Sequence, residues 1–281
     1  MQDHRLQPQR FELKYLVREE MTGGMRDFIA CFLELDDFSV GQPNNSYPIH
    51  SVYLDSDRLQ THNATRNGDK NRFKLRLRYY NDNPGSPVFF EIKQRIDNSI
   101  LKQRCPVRRD AVPLLLSGQL PDPDHLLSSD SRHLGALQRF TYLQQQLNAT
   151  PKLHNNYQRE AWVSSGNNSI RVTFDRNIHI EPFFENHAVI PLTRARRIYP
   201  DFVVLELKFT GRYPNWFRDL VDRFDLMRSA ASKYSGGVES LGEYCFTNDP
   251  FAAHAGLELP SGAAVEPAEP RQSVPLAPRV A

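Results

Sequence analysis

Basic and apolar side chains alternate along several stretches of this sequence, and this alternation is its feature with the clearest chemical meaning. In residues 72–80, RFKLRLRYY, every second residue up to position 78 is basic. A β-strand turns successive side chains to opposite faces, so such a stretch presents its charges on one face only. The cations on faces of this kind are Arg10, Lys14, Arg72, Lys74, Arg76, Arg78, Lys93, Arg95, Lys102, Arg104, Arg171 and Lys208. The carboxylates among them are Glu12, Glu91, Asp175 and Glu206.

This excess of cations predicts a binding face for a polyanion. Like charges that lie side by side on a sheet repel each other, so an ordinary solvated face mixes both signs with neutral polar residues. For a single strand, an exposed face whose lysines and arginines discourage edge pairing would be the simpler explanation. The repetition of the bias on several strands favours a site that focuses positive charge on a ligand.

The aromatic residues indicate which polyanion is meant. Proteins that bind single-stranded nucleic acid interleave cations with exposed aromatic side chains on which bases stack. Here most aromatic residues alternate onto the apolar face, and only Tyr80 and Phe89 share the charged one. No GxxxxGK[ST] loop is present. We therefore expect a ligand made of phosphates, held by bidentate arginines and by lysine point charges, and no nucleic-acid partner.

The carboxylates within the charged faces have two interpretations. Glu91 and Glu206 can form ion pairs with Lys93, Lys208 or other neighbours. Alternatively, Glu206 can hold a divalent ion, since a hard cation prefers carboxylate and phosphate oxygens and neutralises charge in phosphoryl transfer. Spacing alone does not separate these interpretations. Arg159 also has two possible roles. It can point into the site, or it can form an ion pair with Glu160 or another acid.

The alternating stretches must be positioned by a sheet. The predicted strands cover residues 10–17, 49–54, 72–80, 88–96, 100–107, 152–163, 169–175 and 202–209. The predicted helices cover residues 18–35, 58–66 and 214–224 and, in two pieces, 111–147. Turn residues between consecutive strands predict mostly antiparallel pairing. The fold class is therefore α+β, with about eight strands in one antiparallel sheet or barrel and helices packed outside.

Composition excludes several classes of protein. The chain has 281 residues, 35 basic and 33 acidic, with a formal charge of +2, so it is not a generally cationic nucleic-acid binder. A hydrophobic content of 40% is enough for a core. Three scattered cysteines and a polar start without an apolar segment predict a reducing, cytoplasmic location, and no apolar run is long enough to span a membrane. Residues 1–248 are expected to form the folded domain, and the proline-rich residues 249–281 a disordered tail.

Taken in order, these motifs resemble the VTC (vacuolar transporter chaperone) domain, the polyphosphate polymerase domain of the triphosphate tunnel metalloenzyme superfamily. The resemblance extends over about residues 10–243. It rests on RFELKY, KLRLRYY, FFEIKQR with the following LKQR, IRVTFDRNI, VVLELKF and SKYSGG. It implies an antiparallel β-barrel whose interior is a tunnel lined with Lys, Arg and Glu. It also implies synthesis of inorganic polyphosphate from the γ-phosphate of ATP, with Mn²⁺ or Mg²⁺.

The resemblance also implies roles for individual residues. The residues expected to act in catalysis are the RxR pair and the basic residues of two hairpins, namely Arg76, Arg78, Lys93, Lys102 and Arg171. The residues expected to bind substrate are Lys14, Lys208 and the SK(Y/F) element that closes on the phosphates near the tunnel mouth, Ser232, Lys233 and Tyr234. Arg159 is added to the substrate-binding set from its own position in the sequence, not from the resemblance. Glu206 matches the metal-binding glutamate of the family.

One departure concerns the wider superfamily. Tunnel triphosphatases of the CYTH type begin with ExExK, whereas this chain has arginine at the first of these positions, Arg10. The change removes one metal ligand, which counts against two-metal hydrolysis. The predicted function is a polyphosphate polymerase, with a triphosphate or polyphosphate hydrolase and a non-catalytic polyphosphate-binding module as alternatives. ATP and polyphosphate are the expected partners, and a membrane-protein partner is left open.

Overall fold

Ten strands form one antiparallel sheet in the computed structural model, which describes residues 10–97, 99–166 and 168–247. The strands are β1 (Arg10–Arg18), β2 (Glu34–Leu35), β3 (Tyr47–Asp55), β4 (Asn71–Tyr79), β5 (Val88–Ile96), β6 (Ser99–Val107), β7 (Thr150–Val163), β8 (Ile170–Pro182), β9 (Arg196–Ile198) and β10 (Phe202–Thr210). The helices are α1 (Thr22–Ala30), α2 (Gln60–Arg66), α3 (Val112–Leu116), α4 (Ser131–Leu147), α5 (Asn215–Arg223) and α6 (Lys233–Leu241). Short 3-10 turns lie at Glu19–Met21, Pro43–Asn45, Arg109–Ala111, Pro123–His125 and Glu243–Cys245.

Eight strands follow one another around a strongly curled path. Their order is β1-β10-β8-β7-β3-β4-β5-β6, while β2 pairs with β7 and β9 with β8. The two ends of the path, β1 and β6, come close together but do not pair in a ladder within the described residues. The predicted α+β antiparallel fold is therefore confirmed. It is a curled, tunnel-like sheet whose edges are not joined by backbone hydrogen bonds, rather than a closed barrel.

The alternation read from the sequence decides which face of the sheet lies inside. On one side of the sheet, the outward apolar residues of β1, β8 and β10 pack with α1 and α5. On the other side, those of β4, β5 and β6 pack with α3 and α4. Leu75, Leu77 and Phe90 are at most 1% exposed in this second core. Burying these apolar faces under helices fixes the strand register, because a one-residue slip would turn every charge outwards.

Helix α6 differs from the other helices because it packs against inward-facing residues. Tyr234 and Val238 of α6 contact a cluster that includes Leu153 and Ile180. A Cβ atom on Gly237 would lie 2.9 Å from the Leu153 side chain, so only glycine allows this close approach. Helix α6 therefore closes part of the interior.

The predicted helices and strands mostly have the correct type, but their boundaries often differ from those in the structure. The helix expected over residues 18–35 is shorter, and that segment also contains the strand β2. The hairpin formed by β7 and β8 is longer than predicted, since β8 continues to Pro182 rather than ending at residue 175. The residue pattern did not predict α6, β9 or β2. The predicted tail at 249–281 lies outside the described residues. No helix within the described ranges is long and apolar enough to cross a bilayer.

Candidate functional site

The interior of the curled sheet gathers most of the predicted site residues around four carboxylates. Asp175 on β8 shares Arg159 and Lys233 with Glu206. The other three carboxylates are Glu206 on β10, Glu12 on β1 and Glu91 on β5. They are 5%, 11% and 0% exposed respectively, the value for Glu12 being that of its side chain. Each contacts lysine or arginine side chains from other strands. The interior is therefore a buried network of charges in which cations are in excess.

Glu206 lies at the centre of the first group. Its carboxylate contacts Lys233 Nζ at 3.2 Å, Arg159 Nη2 at 3.3 Å and Lys14 Nζ at 3.6 Å. Lys208, two residues further along the same strand, also forms an ion pair with it. Burial alone would raise the pKa of Glu206, but Lys208 and Lys233 outweigh burial and hold that pKa well below its usual value. Glu206 is therefore ionised and surrounded by cations.

Glu91 forms the centre of the second group. It contacts Arg76 Nη2 at 2.6 Å, Lys102 Nζ at 2.8 Å and Arg104 Nε at 3.4 Å. Burial alone would raise the pKa of Glu91, but Arg76 and Arg78 outweigh it and lower the pKa well below its usual value. A single buried carboxylate thus positions three cations that point towards the same interior. Arg76 and Lys102 of the predicted catalytic set lie together for this reason.

Glu12 joins the two groups across the curl of the sheet. It accepts hydrogen bonds from Lys93 Nζ on β5 at 3.1 and 2.9 Å, and it lies 3.3 Å from Lys14 Nζ. Burial would raise the pKa of Glu12, but Lys93 and Lys14 together lower it below its usual value. Because β1 and β5 are not neighbours in the sheet, this contact connects the Glu206 and Glu91 groups across the interior of the curl.

Several like charges lie directly opposite each other on neighbouring strands. The cross-strand pairs are Arg72 with Arg95, Lys74 with Lys93, Lys93 with Lys102, and Lys208 with Arg171. Directly opposed like charges destabilise a sheet. Burial, reinforced by Lys14 and Lys93, lowers the pKa of Lys74 to about 7. Burial lowers the pKa of Lys208 to about 8, although Glu206 opposes the shift. The free protein therefore carries repulsion that a bound anion would relieve.

These lowered pKa values predict that a phosphate ligand binds together with protons. In the free protein at pH 8, Lys74 is mostly neutral, whereas a bound polyanion would raise its pKa and favour the charged form. We therefore expect proton uptake when tripolyphosphate binds. We also expect the affinity to fall as pH rises from 7 to 9, by up to about tenfold per pH unit for each proton taken up. Calorimetric titration in two buffers with different heats of ionisation measures the uptake.

The matched control for this titration is Lys74→Arg. Arginine keeps the positive charge and does not titrate in this range, while protonation of the tripolyphosphate itself is the same for both proteins. Proton uptake should thus be smaller in the variant than in the natural protein. Equal uptake in the two proteins would contradict the assignment to Lys74.

Arg159 and Arg171 have different surroundings. Arg159 faces the interior and donates two hydrogen bonds to Asp175, at 2.6 and 2.7 Å, in addition to its contact with Glu206. Of the alternatives open for Arg159, the structure thus shows both the inward direction and a pair with another acid. Arg171 contacts Asp36 Oδ2 at 2.5 Å and Tyr47 Oη at 3.4 Å, away from the Glu206 carboxylate.

The Ser232–Tyr234 segment begins helix α6. The Ser232 hydroxyl accepts a hydrogen bond from the Ser235 amide as the N-cap and another from Lys74 Nζ at 3.0 Å. Lys233 reaches Asp175 at 2.5 Å as well as Glu206. Tyr234 is buried, and its hydroxyl donates to Asp55 Oδ2 at 2.8 Å. Lys233 is therefore part of the charged network, whereas the contacts of Tyr234 hold α6 to β3. A substrate-binding role for Tyr234 stays a prediction.

Some site residues were not singled out from the sequence. Lys74 was expected on a charged face but not in the site. Its place at the α6 cap follows from a helix that the sequence did not reveal. Asp175 was recognised as a charged-face carboxylate, and its alternation with Val172 and Phe174 was the available signal. Asp36 belongs to a loop, and no periodicity marks it.

The fit of a divalent ion can be judged from the donors present. Glu206 supplies hard carboxylate oxygens of the type that Mn²⁺ or Mg²⁺ prefers. Within the described residues, no group of three or more His, Cys, Asp or Glu side chains could hold a metal. Both oxygens of Glu206 contact cations. The donor type therefore fits such an ion, but most of its ligands would have to be phosphate oxygens that also displace those cations.

A separate cleft of about 660 Å³ lies on the outer face of the sheet. It is lined by Arg18, Arg26, Arg176 and Arg197 together with acidic residues. Arg26 and Arg176 bind Glu160, which is fully buried on that outer face. None of the predicted site residues lines this cleft, so the interior remains the candidate site.

Comparison with known proteins identifies one family. The family model of the VTC domain matches residues 9–242. No curated protein sequence matches the chain. A solved structure of a candidate adenylate cyclase from Bacillus halodurans is similar with 12% identity and a TM-score of 0.45, covering 80% of this chain and 95% of that one. A protein of Pyrococcus horikoshii is similar with 11% identity and a TM-score of 0.42, covering 82% of this chain and 99% of that one.

Proposed function

We propose that this chain, which belongs to the VTC domain family, transfers the γ-phosphoryl group of ATP to inorganic polyphosphate. The observation that carries this proposal is the charged interior. Cations from β1, β4, β5, β6, β10 and α6 converge there on the few carboxylates that hold them in place. Such an array suits a chain of phosphates better than a compact anion, because it extends along several strands.

The reaction that we propose needs no covalent intermediate with the protein. A terminal oxygen of the polyphosphate chain forms a bond to the γ-phosphorus of ATP, the bond between that phosphorus and the β–γ bridging oxygen breaks, and ADP leaves. Catalysis then depends on positioning and on neutralising the charge of the transferred group. Arg76, fixed by Glu91, offers a guanidinium for bidentate contact with phosphate oxygens. Lys208 and Lys233 place ammonium groups next to Glu206.

A divalent ion would complete this arrangement. Glu206 would hold Mn²⁺ or Mg²⁺ together with phosphate oxygens, and the ion would neutralise charge on the transferred phosphoryl group. Phosphates that enter the interior would draw Lys14, Lys208 and Lys233 towards themselves. That shift would free the carboxylate oxygens of Glu206, so the metal and the nucleotide would bind as a unit.

The location of the reaction is part of the same proposal. Cys31, Cys105 and Cys245 are all free thiols. Free thiols without a disulfide framework are typical of a reducing compartment. We place the reaction in the cytoplasm, where ATP is the available phosphoryl donor.

The proposal is tested by incubating the purified protein with ATP and Mn²⁺ and resolving the products by gel electrophoresis with assays for ADP and phosphate. Long phosphate chains that form together with ADP are the expected result. Free phosphate with ADP and no chains would show a hydrolase instead. Tight polyphosphate binding without ADP formation would show a non-catalytic binding module. A parallel preparation of the Glu206→Gln protein controls for contaminating kinases.

A further inference from the structure

One end of the interior carries a group of exposed and partly exposed aromatic side chains. Along β4 the inward positions run from Lys74, which contacts the cap of α6, through Arg78 towards Tyr80, which directly follows the strand. Along β3 they run from Asp55, which holds Tyr234 of α6, back to Tyr47. The end away from α6 is therefore lined with aromatic residues. We name this group the aromatic mouth, and its members are Phe38, Tyr47, Tyr80 and Phe89.

The rings of the aromatic mouth form a continuous series. The ring centroids of Tyr80 and Phe89 lie 6.1 Å apart, those of Tyr47 and Tyr80 lie 6.4 Å apart, and those of Phe38 and Tyr47 lie 6.1 Å apart. Phe38 is 72% exposed, and the other three are partly exposed. Elsewhere on the alternating strands, aromatic residues such as Phe90 and Phe174 face the apolar cores. An exposed aromatic series on the charged face thus needs a reason.

Arginines border the aromatic mouth and are held by it. The guanidinium carbon of Arg104 lies 3.3 Å from the centroid of the Phe89 ring, and Arg104 Nη2 donates to Tyr80 Oη at 3.3 Å. Arg171 Nη2 donates to Tyr47 Oη at 3.4 Å. Aromatic rings and arginine guanidinium planes are the surfaces on which proteins stack nucleic-acid bases.

The next inward position connects the mouth to the phosphate site. Arg78 lies directly opposite Phe89 in the β4–β5 register and is only 6% exposed. Its Nη2 donates to Tyr157 Oη at 3.0 Å, while its buried Nε has no hydrogen-bond partner. An unsatisfied buried donor at this point indicates a ligand atom that accepts from it. Arg76 and its partner Glu91 follow one step further in.

We propose that the aromatic mouth binds the base of a nucleoside triphosphate by stacking, with the triphosphate extending past Arg78 into the charged interior. The order of the side chains favours this ligand over single-stranded nucleic acid. A nucleic acid needs an open stacking surface for each successive base. Here the aromatic mouth is followed by cations and carboxylates, and the tyrosines further in, Tyr53, Tyr157 and Tyr234, are buried. The inference rests on the proposed function, because it assumes that the donor is a nucleotide.

The test compares the binding of ATP with that of inorganic tripolyphosphate, which has no base. Both are measured by calorimetry without metal, so that no turnover is needed. The variants are Phe89→Leu and Phe38→Ala. Phe89→Leu removes the ring beneath Arg104. Phe38 is exposed, so its replacement by alanine should leave the folded structure intact. We expect each variant to weaken ATP binding by about tenfold and to leave tripolyphosphate binding within about twofold. Tyr142→Leu, an exposed aromatic on α4, is the matched control and should change neither.

The other outcomes either contradict the inference or contradict the proposed function alone. Equal losses for ATP and tripolyphosphate would show that the rings support the phosphate site rather than a base. Unchanged ATP binding in both variants would show that the aromatic mouth takes no base. The unmodified protein could also bind ATP selectively through these rings and yet make no polyphosphate. That result would support the base-binding inference and contradict only the proposed polymerase activity. A natural protein that binds tripolyphosphate but not ATP would overturn the nucleotide subsite.

Discussion

Glu206→Gln is expected to lower turnover by about 100-fold or more while strengthening the metal-free binding of tripolyphosphate. In the proposed function the carboxylate would supply a hard oxygen ligand for the divalent ion, whereas glutamine would supply only a neutral amide oxygen. In the free protein the same carboxylate competes with phosphate for Lys14, Lys208 and Lys233. Removing its charge leaves these cations available to the ligand and removes a repulsion. We expect a gain in affinity of up to about tenfold.

A lower turnover together with a higher metal-free affinity in Glu206→Gln would distinguish a carboxylate that both binds the metal and competes with phosphate for the lysines. Turnover is measured as ADP formation with Mn²⁺, and affinity by calorimetry with a chelator present. The matched control is Glu160→Gln, which alters another buried carboxylate that binds arginines, but on the outer face of the sheet. That variant should lose stability and keep its turnover per folded molecule. Weaker metal-free binding in Glu206→Gln would contradict the competition, and unchanged turnover at limiting metal would contradict the metal role.

Arg76→Ala is expected to have the second large effect, on both phosphate binding and stability. Arg76 contacts the fully buried Glu91, so its removal leaves that carboxylate with Lys102 and Arg104 as direct ion-pair partners among the described residues. Breaking a buried ion pair from one side costs about 3–5 kcal/mol of unfolding free energy. The lost bidentate contact should weaken tripolyphosphate binding by about 100-fold. Urea unfolding and calorimetric titration measure the two effects.

Arg76→Lys separates the two effects. Lysine keeps a positive charge for Glu91 but does not offer the planar fork that binds two phosphate oxygens. We expect this variant to recover most of the stability and only part of the affinity. Arg176→Ala, which removes a guanidinium from the buried Glu160 on the outer face, controls for the general cost of breaking such a pair. If Arg76→Ala bound tripolyphosphate normally once folded, Arg76 would be a structural residue only.

The alternation of residue types was enough to predict the two faces of the sheet. In β4, for example, Leu75 and Leu77 are buried in the outer core, while Arg76 points inwards as predicted. The period of two is a local property of an extended chain, so a single sequence reveals it. Closure of the sheet is not a local property, since it depends on how far the strands twist and on the edges β1 and β6. The predicted barrel is therefore an unclosed curl.

The least predictable part of the site is helix α6. Its sequence KYSGGVESL contains adjacent glycines, which weaken a helix in isolation and indicate a turn. The structure shows that these glycines serve tight packing against Leu153 and Tyr199. Tertiary contacts override the local preference here. The same helix brings Lys233 to Glu206 and Ser232 to Lys74, so the contacts among these residues could not be predicted without it.

The opposed like charges on neighbouring strands connect the ligand to the stability of the fold. Pairs such as Lys74 with Lys93 make the free protein less stable than its neutral equivalent would be. A ligand that binds only the native state adds stability by mass action, about 2.7 kcal/mol at a concentration 100 times its dissociation constant. If phosphate chains bind as proposed, they would therefore stabilise the fold as well as serve as substrates, and the unfolding temperature would rise with their concentration.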